Sequence, residues 1–581
     1  MKKLIFTLTA LSLVSLASAQ EFDDFGGGDF GGYEESSTPA VTITGEVGAE
    51  TRAWIGTTNE TSGLYDTHNY DGIYDVSKTE LDAGAYANLE LNYEGDYTGA
   101  NLKLKLDSGT LTEHPEDVID EVSASGSFKD GRIQVKAGKM KEVWGKGDKI
   151  HVLDNFNAND YTDFIFPDYI DRRLGEVMFK TTFNLSWDYN LKLEGIFTPW
   201  MTADRFASEG SFLYPAAQAN LTSKVKDILV QQGSAITSTA VDFEKQTVNG
   251  NTLVNAIMRL SDFSTDDLYE DNIRSIKYAQ GGLRMTGTLG GLDWGLSYYY
   301  GHYKQPSAKL QGLIGMKAYA DAAEEAKAGA EKAAAAATAA TAAGDATTAA
   351  TYAAMAAQYG AAAQNYADLA TSALAGDVNT LVSLNYDQMQ VFGVEAAFVL
   401  WKLNTRWEFA YNLTEDIAGD DPWVKNNSIS WVGGFDIDIP IHNLNLNVQE
   451  TGTYTLKSDK IKNGGVTVSG LGRLTWETLR NNYDVDYNSD DKYINNKLIV
   501  LLSDKWLNEK LTTEVQGIYC IETKDFMVAP NIEYNVTEGL TFGCRFAYLY
   551  SDNENGEFYN FTADSEHHDK AFLQLTAKYQ F

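Results

Sequence analysis

The chain carries only two cysteines and nine prolines in 581 residues. Two cysteines make no disulfide framework, so the fold must hold without covalent staples. Scarce proline leaves long stretches free to donate backbone hydrogen bonds. Beyond Leu4 to Leu16 there is no run of about 18 apolar residues, which excludes a membrane-spanning helix. Cations are few: 46 Lys and Arg stand against 81 Asp and Glu, a formal charge of −35 that argues against a nucleic-acid partner. Catalytic motifs are missing as well. There is no Gly-x-Ser-x-Gly elbow and no His-Glu-x-x-His. Gly145-Lys146 fails as a phosphate loop, because Met140 stands where the first glycine belongs and Gly147 where a hydroxyl belongs. His567 and His568 are adjacent, so they diverge on extended chain, and no metal site is expected from them. The acidic run Asp552 to Glu557 lacks the spacing of a calcium loop. No enzyme activity, cofactor or metal is expected.

What is present begins at the N-terminus. Lys2 and Lys3 precede the short apolar stretch, and Ala17-Ser18-Ala19 is a small-x-small cleavage site. Residues 1–19 therefore read as an export signal, with Gln20 opening the mature chain. Its removal takes the formal charge from −35 to −37, since Lys2 and Lys3 leave with it. Residues 20–39 repeat Asp, Phe and Gly and lack material for a core, so they read as a flexible acidic periplasmic leader. An exported chain without a spanning helix can cross a membrane only as a closed barrel.

Residues 40–581 carry the pattern such a barrel needs. Val41, Ile43, Gly45, Val47 and Ala49 alternate with Thr42, Thr44 and Glu46. Leu102, Leu104 and Leu106 alternate with Lys103 and Lys105. Similar period-two segments recur near 81–91, 118–128, 132–137, 176–188, 190–198, 277–289, 291–303, 391–401, 403–413, 427–438, 443–455, 464–476, 494–503, 511–521, 525–535 and 539–550. Tyr, Phe and Trp number 33, 26 and 11, and residues such as Trp54, Tyr93, Trp294, Trp407 and Tyr411 near segment ends suit aromatic girdles. Short links (94–97, 130–131, 290–291, 402) alternate with long ones (56–80, 142–173, 200–275, 304–388, 551–568), as tight periplasmic turns alternate with extracellular loops. Cys520 is in lumenal phase and Cys544 in lipid phase, so the two are not expected to be bridged.

The last segment is Ala571 to Phe581, with Leu573, Leu575, Tyr579 and Phe581 on one face. It resembles the closing strand of bacterial outer-membrane β-barrels, an ending that the barrel-assembly machinery reads through residues at Tyr579 and Phe581. The resemblance implies an all-β, transmembrane, antiparallel up-and-down barrel in the cell outer membrane, in contact with its lipid. The segments number about nineteen, whereas both ends of such a barrel should be periplasmic, which requires an even number. The registers counted from the two ends clash between residues 440 and 493. The expectation is 18 strands, with 16 and 20 as the neighbouring even counts.

Two insertions stand out. Residues 316–374 are dominated by alanine, the strongest helix former, with Gly344-Asp345 as a break. They predict a helical hairpin of arms 316–342 and 346–374 within an extracellular loop. The stretch 200–275 predicts a helix near 217–232.

The loop from Glu142 to Asp163 contains Trp144-Gly145-Lys146-Gly147-Asp148 and an Asn/Asp-rich tract. It resembles, in porin-like barrels, the loop that folds inward after an early strand. The resemblance implies a constriction in which Asp148, Asp154, Asp160 and Asp163 face a basic row. The lumen-phased cations Lys103, Lys105, Arg132, Lys136, Arg284, Arg406 and Arg473 supply that row. Opposed charges across a narrow aqueous gap favour polar solutes. The resemblance therefore points to a porin for passive diffusion of small hydrophilic solutes and ions, in a group whose members are often homo-oligomers. A transporter of apolar substrates such as fatty acids, and a surface adhesin or structural barrel, remain open at this point.

Overall fold

Period-two segments that are apolar on one face can bury their backbone in a bilayer only by pairing with one another until no edge is left. The computed structural model shows this closure. It describes residues 40–55, 81–162, 170–205, 247–248, 251–252, 268–374, 377–421, 423–475, 493–552, 556, 558 and 569–581. The expected export signal and leader (1–39), the helix near 217–232 and Asp163 lie outside them.

Eighteen strands form one antiparallel sheet. The first seven are β1 (Ala40–Ile55), β2 (Leu81–Glu94), β3 (Thr98–Leu106), β4 (Ile119–Phe128), β5 (Ile133–Met140), β6 (Glu176–Ser186) and β7 (Leu191–Thr198). Then come β8 (Gln280–Leu289), β9 (Leu292–His302), β10 (Gln388–Leu400), β11 (Leu403–Thr414), β12 (Ser428–Asp438) and β13 (Asn445–Thr455). The last five are β14 (Ile494–Trp506), β15 (Leu511–Cys520), β16 (Phe526–Thr537), β17 (Leu540–Tyr550) and β18 (Asp569–Gln580). Each pairs with its sequence neighbours, and β1 also pairs with β18, from Glu46↔Gln580 to Ile55↔Ala571. The chain is thus an up-and-down barrel.

The nineteenth segment, 464–476, is not part of the wall. Gly465–Val468 and Gly472–Thr475 pair only with each other, as a small hairpin within the extracellular link between β13 and β14. This is the interval in which the two registers clashed. Gly470 and Gly472, both at positive φ, turn the chain back after four residues, too few to cross a bilayer. Arg473 sits in that hairpin and bonds the Asn463 carbonyl, so it is corrected from a lumenal cation to a loop residue.

The wall keeps the two-faced pattern. Val41, Ile43, Phe179, Phe183, Phe392, Phe409, Leu573 and Leu575 are exposed on the outside, as an apolar belt against lipid. Neither cysteine is in a disulfide; Cys520 is buried and Cys544 exposed. Among the described residues no helix is long and apolar enough to cross a membrane.

The alanine-rich insertion forms α1 (Gln311–Ala342) and α2 (Ala346–Leu374), with Gly344 at positive φ in the turn. The Asp345 side chain accepts from the Thr348 amide and so caps the start of α2. The root of α1 is fixed on the mouth. Leu313, Met316 and Ala320 pack with Val378, Leu381 and Leu384, while Ile314 and Ala318 pack with Trp423, Val466 and Val468 from two other loops.

Barrel closure ends on the last residue. The Phe581 amide donates to the Gly45 carbonyl and the Gly45 amide to the Phe581 carbonyl, each at 2.9 Å. The Phe581 ring lies where a side chain on residue 45 would stand; a Cβ there would come within 2.5 Å of it. Gly45→Val should therefore push Phe581 off the seam at a cost of about 1–3 kcal/mol. The expected outcome is a smaller heat-modifiable fraction on unheated gels; an unchanged fraction would mean that the seam tolerates the clash.

Candidate pore constriction

The link between β5 and β6, described at 141–162 and 170–175, does not rise from the mouth there but turns into the barrel. Its apolar side chains explain why. Trp144, Leu153 and Phe156 are buried against lumen-facing Met178 of β6, Ile196 of β7, Tyr299 of β9, Met389 and Val391 of β10 and Ala410 of β11. Trp144 and Phe156 meet edge to face at 5.0 Å, and Phe156 and Tyr299 do so at 5.1 Å. Two wall glycines make room. A Cβ on Gly282 would come within 2.8 Å of Trp144 and 2.9 Å of Phe156, and one on Gly393 within 2.5 Å of Leu153.

One carboxylate holds the tip. Glu408 of β11 points into the lumen and is 0 % exposed. It accepts from the amides of Gly147 (2.6 Å), Val152 (2.8 Å) and Leu153 (3.2 Å), and its Oε1 lies 2.8 Å from His151 Nδ1. These contacts tie loop backbone that would otherwise be left unsatisfied inside the barrel. Gly145, at φ +114, passes so close that a Cβ would come within 2.2 Å of the Glu408 carboxylate. At the loop base, Asn157 donates to the carbonyls of Met140 and Leu174 and accepts from the Glu142 amide.

The residues nominated from sequence fall into distinct places. Asp148 stands at the loop tip, 2.7 Å from Arg406 of β11, and accepts from Asn447 of β13 at 2.8 Å. Arg406 also reaches Asp436 of β12 at 2.5 Å. Asp154 turns the other way and is buried in a 2.6 Å pair with Arg173, so it braces the loop instead of facing the passage. Asp160 pairs with Arg205 at 3.0 Å. The same arginine pairs with Asp117, tying Asp160 to the outer rim. Burial alone would raise the Asp117 carboxyl, but hydrogen bonds from Arg205 and Lys139 outweigh it and hold the group below its ordinary value.

Arg284 pairs with Glu395 at 2.6 Å, behind the loop. Lys136 lies 3.6 Å from Glu142, which Lys180 also contacts at 2.6 Å. Lys103 lies between Glu90 and Glu121 at 3.7 and 3.2 Å, and Lys105 lies 3.9 Å from Asp107. Arg132 is exposed in the turn before β5, at the periplasmic rim rather than on the strand wall. The nominated basic row is thus largely a set of ion pairs. The wall away from the loop carries alternating rows. Glu533, Gly543, Thr576 and Glu50 share one register row, and Asn531, Arg545, Gln574 and Arg52 the next.

Sequence reasoning missed the role of Glu408. Its lumenal phase was readable, but nothing in the sequence marks it as the acceptor for amides some 260 residues earlier. Glycine at 282 and 393 was the available signal, since a wall glycine permits close backbone approach.

A closed 18-strand antiparallel sheet with an apolar outer belt makes this chain an outer-membrane β-barrel protein of the up-and-down architecture. No protein-family model and no curated protein matches it. Solved porin structures align along most of it. A BenF-like porin from Pseudomonas fluorescens Pf-5 is 10% identical, covering 93% of this chain and 99% of that one, with a TM-score of 0.39. OccK3 (OpdO) of Pseudomonas aeruginosa is 8% identical, covering 93% and 95%, with a TM-score of 0.37. The outer membrane channel DcaP of Acinetobacter baumannii is 9% identical, covering 95% and 100%, with a TM-score of 0.34.

Glu408→Ala should free the loop tip, because each buried donor left without an acceptor costs about 1–3 kcal/mol. The expected outcome is a folded barrel whose loop becomes cleavable by protease. An intact, protected loop would show that the apolar anchors suffice. Gly393→Leu should displace Leu153 and give the same cleavage with Glu408 in place.

Proposed function

We propose that the chain is an outer-membrane channel through which small hydrophilic solutes and ions diffuse passively. One observation carries this reading: the loop pinned by Glu408 narrows, from one side, a lumen whose wall opposite carries charged and amide rows through Glu533, Thr576 and Glu50 and through Asn531, Arg545, Gln574 and Arg52. An 18-strand barrel has more interior than its own side chains fill. Water in that space screens the wall charges least at the narrowest point, so the groups near Asp148, Arg406 and Asp436 weigh most on ion preference. Of the other nominated residues, Lys103, Lys105, Lys136 and Arg284 act as paired wall charges and Asp154 and Asp160 as braces, while Arg132 lies at the periplasmic rim. In this reading residues 1–19 direct export, residues 20–39 form the periplasmic leader, and Tyr579 and Phe581 present the closing strand to the assembly machinery. The lipid-facing belt contacts outer-membrane lipid and, in a homo-oligomer, neighbouring copies.

The mature chain in a planar bilayer should give discrete, long-lived current steps in simple salt. A folded, heat-modifiable barrel that conducts nothing would overturn the proposal. Asp148→Asn removes one negative charge from the loop tip while Arg406 keeps Asp436. The reversal potential in a salt gradient should move toward anions; no movement would take Asp148 out of the narrowest point.

A further inference from the structure

A water-filled lumen should be polar, yet the extracellular half of the wall formed by β15 to β18 is not. Cys520, Met527, Ala529, Ala547, Leu549 and Phe572 form one buried cluster there. Their phase is lumenal: the alternate residues Val528, Phe546 and Leu573 are exposed on the outside. Met527 stands opposite Leu549, and Ala547 opposite Phe572, in direct register. The side chain that completes the cluster is Phe558, from the last extracellular link, and it is 1 % exposed. Its backbone is fixed as well, since the Phe558 amide donates to Asp525 Oδ2 at 2.8 Å and Asp525 is itself buried. The Thr523 hydroxyl bonds the other oxygen of Asp525.

We propose that Phe558 is a specificity-determining peg. Its ring seats on the lumen wall and keeps an apolar patch away from passing solute. The inference rests on reading the lumen as an aqueous passage. The patch lies on β15 to β18, away from the β6 to β13 arc that residues 144–156 occupy. The outer part of the passage is therefore bounded by the constriction loop on one side and by the Phe558 ring on the other. Covering the patch denies amphipathic solutes an adsorption surface that would slow their exit. Asp525 is the positioning residue: it accepts from the Phe558 amide and so sets where the ring enters.

Cys520 offers a readout independent of conductance. It lies beneath the peg at 2 % exposure, while Cys544 faces outward and is replaced by serine in the test background. In Cys544→Ser, a charged, membrane-impermeant thiol reagent should modify Cys520 slowly. Adding Phe558→Ala should speed modification at least tenfold and lengthen the current blocks caused by tetrabutylammonium. Adding Phe558→Leu should restore most of the protection, and Asp525→Asn should fall between. Heat-modifiability of each variant shows that the barrel is formed. Equal modification rates in a folded Phe558→Ala barrel overturn the peg. A parent barrel that carries no current overturns the porin reading instead, and the thiol rates separate the two failures.

Discussion

Everything in this molecule depends on one requirement: backbone amides and carbonyls inside hydrocarbon must be paired with one another, because lipid offers them nothing. The pairing of β1 with β18 meets that requirement, and the Gly45–Phe581 exchange completes it at the chain terminus. Once the sheet is closed, residue alternation has only two destinations. One face becomes the lipid belt. The other becomes the wall of an interior too wide to fill with its own side chains.

That interior then imposes a second version of the same demand. Chain that folds into the lumen carries backbone groups and apolar side chains that need partners on the wall. Residues 144–156 find them in Glu408 and in the wall cluster around Trp144 and Phe156. At the outer end, Asp525 and the patch under Phe558 do the same. In both places a buried carboxylate accepts loop amides and an aromatic ring fills apolar wall. Backbone N–H dipoles hold both carboxylates, with the His151 ring beside Glu408 and the Thr523 hydroxyl beside Asp525.

Much of the barrel was legible because its physics is local. Alternation in Val41 to Ala49, Leu102 to Leu106 or Ala571 to Phe581 needs only neighbouring residues to be recognised. The alanine tract and Gly344 defined α1 and α2 to within a few residues, since helix propensity is also local. The one miscounted strand shows the limit. Residues 464–476 alternate well, but their membership of the wall depends on pairing with distant strands, and they pair with each other instead. Arg473 was misplaced for the same reason.

The candidate site was legible in kind and not in geometry. Sequence alone determined a period-two chain with charged residues in lumenal phase and an Asn/Asp-rich loop after an early strand. Only the tertiary structure decided that Asp148 meets Arg406, that Asp154 is spent on Arg173, that Arg284 pairs with Glu395, and that Glu408 holds the loop. The physical reason is that a strand fixes which face a side chain leaves from. Which partner it meets across a lumen depends on strand order, on shear, and on where a wall glycine leaves a gap.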